Sequence, residues 1–173
     1  MERSMLNSEK LAIVLVLAGA GSRLLHLPPN IAAVTGVTIF AGFAIRNVWL
    51  ALAVPIAAMA LADVALGWYP DMAFTYVGMA LGVVIARGLL HPLTTPRLIA
   101  TTFAASLSFF LVSNFGVFVG GYYGYSLEGL LACYVAALPF WQSSLVADFA
   151  STALVFVLYL ALQRALPSVK VQA

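Results

Sequence analysis

The tract LEGLLACYVAALPFWQSSLVADFASTALVFVLYLALQR, residues 127–164, is apolar for far longer than one bilayer crossing requires, and it carries a proline, Pro139, in its first half. A spanning helix needs about 20 mostly apolar residues. The residue before a proline is pushed out of the α region. The tract therefore reads as two pieces: a short half-helix over 127–139, too short to cross, and a crossing over 143–164 capped at its start by Gln142.

The same ruler finds five earlier crossings, at 9–26, 31–46, 48–67, 72–90 and 97–119. Pro28-Pro29-Asn30, Arg46-Asn47, Trp68-Tyr69-Pro70-Asp71 and His91-Pro92 through Pro96 punctuate them. The chain is thus expected to be all-α and polytopic, with six transmembrane helices plus a short outer half-helix. Residues 1–8 and 167–173 are expected as cytoplasmic tails around a single membrane domain at 9–166. Composition agrees: 64% of the 173 residues are hydrophobic and 8% charged, against about 45–50% and about 25% in soluble domains.

A net charge of +2 with scattered basic residues gives no footprint for nucleic acid. The single Cys133 excludes an internal disulfide and a Cys-based zinc frame. It reads as a small buried hydrophobe, or less simply as a soft ligand to a metal-centred substrate. The first apolar run lacks a signal-peptide cleavage pattern. No HExxH, P-loop or GxSxG pattern occurs, so neither an enzyme nor a resident metal or cofactor is expected.

With six crossings both termini share a side. Arg3, Lys10, Arg46, Arg87, Arg97, Arg164 and Lys170 then fall together, and Arg23 alone lies opposite. The positive-inside rule makes the first side cytoplasmic. The stretch SNFGVFVGGYYGYSLEG, residues 113–129, accordingly lies at the outer surface.

The costly polar groups sit at that outer level: Arg23, His26, Asn30, Asp63, Asn114 and Asp148. Ser144, Asp148, Ser151 and Thr152 share one helical face, which would be costly against lipid and should point inward. These residues suggest an outward-facing pocket. Arg23 and His26, with the helix start after Pro28-Pro29, suit an anionic group, and Asn30 in the same turn is counted with the substrate-binding residues. Asp63 and Asp148 suit a donor-rich or cationic part, and Asn114 a polar edge. Tyr122, Tyr123 and Trp141 would stack on a planar ring, with glycine-rich residues 119–126 as a lid. The plainer readings are an ion pair of Arg23 with Asp63 or Asp148 locking the bundle, and an aromatic belt of tyrosines at the bilayer surface. Gly78/Gly82/Ala86, Ala53/Ala57, Ala58/Ala62 and Ala32/Gly36 are small-residue faces for packing within the chain, or for docking a partner.

The motifs SNFGVF (113–118), GLLACYVAALPFWQSSLVADFAST (129–152), PPNIAAVTG (28–36) and LADVALG (61–67) resemble a bacterial family of small, functionally uncharacterised integral membrane proteins, over about residues 23–156. That family is more distantly similar to the S components of energy-coupling-factor transporters, by size, six spans and outer-side polarity. The resemblance implies a multi-pass protein of the bacterial cytoplasmic membrane that binds a small vitamin-like or nucleobase-like solute. It also implies docking to a transmembrane coupling subunit and its ATPases. S components often dock through an Ala-xxx-Ala face on the first helix; this chain departs from it with Ala18 and Ser22, and a solitary transporter is the alternative to ATPase coupling. The expected function is the solute-binding component of a transporter. The alternative is a structural or regulatory membrane subunit without a small-molecule site.

Overall fold

The computed structural model describes residues 2–24 and 34–165, with side chains over 10–24 and 34–164. Six helices follow in order: α1 (Glu2–Leu24), α2 (Val34–Ala44), α3 (Val48–Leu66), α4 (Met72–Leu89), α5 (Thr95–Val119) and α6 (Leu127–Ala165). Four of them, α3 to α6, are long and apolar enough to cross a membrane. The two others are not among these: α2 has 11 described residues, and the first turns of α1 are polar. Helix α1 begins at Glu2, inside the stretch expected as a tail. Pro28, Pro29, His26, Asn30 and the C-terminal tail lie outside the described residues.

Local sequence explains the helix limits. Asn47 caps α3, its side-chain oxygen accepting from the N–H groups of Trp49 (2.9 Å) and Leu50 (3.2 Å). Gly67, with φ 98°, ends α3 in a conformation that suits glycine, and its N–H returns to the Asp63 carbonyl at 2.8 Å. Pro96 stands in the first turn of α5, where its missing N–H is harmless. Ser126 caps α6 by accepting from the Gly129 N–H at 3.0 Å.

Helix α2 is the hub. It touches every other helix, and all of its residues are buried. Helices α1, α3, α4, α5 and α6 pack around it in that order, each against the next; α1 and α6 meet only through α2. Close approach depends on small residues. A Cβ on Gly36 would lie 2.6 Å from the Ser151 carbonyl carbon, and one on Gly42 would lie 2.6 Å from the Val83 carbonyl oxygen. Gly78 and Gly82 likewise face Phe109 and Thr38, so this small-residue face serves packing within the chain. Ala53 and Ala57 are exposed instead.

One end of the bundle carries Arg46, Arg87, Arg97 and Arg164 and is filled by aromatic packing. Phe40 meets Phe156 edge-on at 5.4 Å, and Phe43 stacks on His91 at 5.3 Å. Arg87 donates to the carbonyls of Ile45 (2.7 Å) and Arg46 (2.9 Å), closing the end of α2. Arg97 does the same for Leu89 and His91.

The expected half-helix is corrected here. Residues 127–165 form one continuous helix with Pro139 inside it, and Gln142 is an interior residue rather than a cap. Proline in a helix interior costs about 3 kcal/mol. Tertiary anchoring offsets that cost, because the first half is pinned to α5: Tyr134 donates to the Leu111 carbonyl at 2.7 Å, and Cys133 to the Asn114 carbonyl at 3.4 Å. Just past the proline, the Ser143 and Ser144 hydroxyls make local back-bonds to the Phe140 carbonyl at 2.9 and 3.0 Å. Two turns and more beyond the proline, α6 shifts partner: Ser151, Phe156 and Tyr159 pack on α2.

Candidate functional site

Where α6 passes from α5 to α2, the opposite end of the bundle stays open as a cavity of about 550 Å³. That is within the usual range for small-ligand pockets, about 300–1,000 Å³. Every helix contributes to its wall: Arg23 from α1, Thr35 from α2, Met59 from α3, Thr75 from α4, Asn114 from α5 and Asp148 from α6. The α3–α4 connection adds Tyr69 and Asp71.

Asp148 is 7% exposed. The side-chain hydroxyls of Thr35 and Ser106 lie beside its carboxyl group. Ser106 in turn accepts from the Trp141 indole N–H at 3.1 Å. Indole and serine thus tie α6 to α5 beside the carboxylate. The Trp141 ring stacks on Phe110, centroids 4.8 Å apart and planes at 21°. No ion-pair partner for Asp148 exists among the described residues.

Asp63 has the opposite surroundings. It is fully buried and does not line the cavity. Arg23 Nη1 pairs with its Oδ1 and also donates to the Met59 carbonyl at 3.3 Å, while the Tyr76 hydroxyl donates to its Oδ2 at 2.9 Å. Both carboxylate oxygens are therefore satisfied. The geometry is that of a lock between α1, α3 and α4, one of the two pairings that the sequence offered for Arg23.

Asn114 lines the cavity, its amide donating one turn back to the Phe110 carbonyl at 2.8 Å. Burial raises the Tyr69 phenol above its ordinary pKa, a rise that the hydrogen bond with Thr75 partly opposes. It stays a neutral donor at the cavity edge. Ser144 joins the lining, while Ser151 and Thr152 continue the polar face of α6 inward as buried groups.

The structure thus brings together Arg23, Asn114, Trp141 and Asp148, and sets Asp63 just behind Arg23. Tyr122 and Tyr123 are on the α5–α6 turn, 69% and 40% exposed, and neither lines the cavity. The glycines around them close that turn: Gly121 and Gly124 have φ of 81° and 73°, and Gly129 packs on the Tyr123 carbonyl. His26 and Asn30 lie outside the described residues. Sequence reading missed Thr35, Ser106, Tyr69 and Tyr76. The first two are ordinary hydroxyls in apolar runs and carry no signal of their own. Tyr76 did carry one, since a phenol in mid-helix needs a partner when buried.

Among the described residues no group of three or more His, Cys, Asp or Glu side chains could hold a metal ion. No curated protein and no solved structure matches the chain. A family model does match, over residues 4–169. The chain belongs to that family, which is described as a family of unknown function (DUF6580).

Proposed function

We propose that this protein is the solute-binding component of a membrane transporter, similar in plan to the S components of energy-coupling-factor systems. The observation that carries the reading is Asp148: a buried carboxylate, without a cation beside it among the described residues, in the wall of a cavity that all six helices build. Burying a charge is costly unless it is paired. A lock between helices needs no cavity, and this bundle already has its lock in Arg23 and Asp63. The cavity size and the Phe110–Trp141 stack suit a small planar molecule of vitamin or nucleobase type.

The proposed setting is the bacterial cytoplasmic membrane with both termini inside. Among the described residues, Lys10, Arg46, Arg87, Arg97 and Arg164 fall toward the end away from the cavity, which the positive-inside rule assigns to the cytoplasm. Trp49 and Trp68, both strongly exposed, flank α3 at its two ends. At about 1.5 Å per residue they stand roughly 28 Å apart, near the ~30 Å hydrocarbon thickness that interfacial tryptophans bracket. In this scheme a transmembrane coupling subunit and its ATPases supply the energy.

The test is mass spectrometry of small molecules that co-purify with the protein in nanodiscs. The wild type should carry a reproducible solute, and Asp148→Asn should lose at least about 90% of it while keeping its helical content. A wild type that carries no solute but holds a stable protein partner would favour a structural or regulatory subunit.

A further inference from the structure

We propose that the solute is an organic cation, with its positive charge set against Asp148 and its flat or alkylated face against the Trp141–Phe110 stack. This rests on the solute-binding reading above and narrows it to one chemical class.

The charge inventory of the site carries the inference. Around the cavity stand Arg23, Asp71 and Asp148, with Asp63 directly behind Arg23. One guanidinium faces three carboxylates among the described residues, and it is already engaged by Asp63. The cavity is therefore negative. Its one deeply buried carboxyl group, Asp148, has the Thr35 and Ser106 hydroxyls beside it but no counter-charge among the described residues. Hydroxyls beside a carboxylate do not neutralise it, and a ligand that brings a positive charge does.

The remaining wall fits the same class. Phe109, Phe110, Phe140 and Trp141 all line the cavity. Aromatic faces attract cations through their quadrupole, tryptophan most strongly. The indole N–H is occupied by Ser106, so the ring offers a face rather than a donor. Among the described residues an anionic solute would find one cation in the wall, Arg23, whose charge is shared with Asp63.

A charge series on one ring system tests this: N-methylquinolinium, neutral quinoline and quinoline-2-carboxylate, titrated calorimetrically into the full chain in nanodiscs, with empty nanodiscs as control. The cation should bind at least about tenfold more tightly than quinoline, and the carboxylate should bind most weakly. Asp148→Asn should erase the advantage of the cation over quinoline. The wild-type series decides the matter even where the variant folds poorly. If the carboxylate binds most tightly, or Asp148→Asn leaves the cation's affinity intact, the cation assignment fails while solute binding stands. A co-purifying solute without a positive charge would overturn it in the same way. Binding of no probe, together with no co-purifying solute, brings down this inference and the transporter reading alike.

Discussion

Asp63 and Asp148 are both carboxylates less than a tenth exposed at the same end of the bundle, yet their neighbours assign them different work. Asp63 faces Arg23 and Tyr76, whereas Asp148 faces hydroxyls and a cavity. The sequence offered both as partners of Arg23. What separates them is helix adjacency, because α1 packs on α3 and does not touch α6. Depth along a span is legible from hydropathy, but the neighbour across the gap is not. A double-mutant cycle measures the lock. Asp63→Leu should lower stability in detergent by about 3–5 kcal/mol, the usual cost of leaving one buried charge unpaired. Arg23→Met with Asp63→Leu should recover much of that loss, since removing both charges removes the penalty. Purely additive losses would show that the two side chains act independently.

At the scale of elements, the limits expected for the helices at 48–67, 72–90 and 97–119 fall within two residues of α3, α4 and α5. Caps and prolines there are local signals read by local structure. Helix α6 broke the same logic. Pro139 predicts a stop, but Tyr134, Cys133 and Trp141 hold the tract on α5 from both sides of it. Tertiary anchoring overrode a local preference, and the cavity lies at the change of partner. The central place of α2 was also hidden, since every span is apolar. In retrospect its composition marks it: VTGVTIFAGFA has no leucine and alternates small, hydroxyl and aromatic residues. That suits a helix enclosed by others. The glycine contacts give a graded prediction. Gly36→Ala puts a methyl group into the Ser151–Thr152 backbone and should cost about 1–3 kcal/mol, the range for overpacking. Gly88→Ala meets nothing within 4 Å, and should be neutral or stabilise by up to about 1 kcal/mol through helix propensity. Thermal unfolding of the two variants side by side checks the order, and equal effects would mean that α2 and α6 are not in close contact.

For the whole molecule, the transporter reading depends on which way the cavity faces. The arginines at the far end make this more than a charge count, because two of them have structural duties. Arg87 closes the end of α2 and Arg97 that of α4, so neither need owe its place to topology alone. Direct labelling is the sharper measurement. Cys133 is 2% exposed, which keeps background labelling low, and Cys133→Ser removes it. Two single-cysteine positions then report on the two ends. Tyr123 lies on the exposed α5–α6 turn at the cavity end. Thr94 lies at the arginine end, exposed and with no capping bond from its side chain, so its substitution costs little. In intact cells an impermeant maleimide should label Tyr123→Cys and spare Thr94→Cys, with both reacting after lysis. The reverse pattern would turn the cavity toward the cytoplasm. An acidic site on that side would receive solute from within the cell, and uptake from outside would no longer be its task.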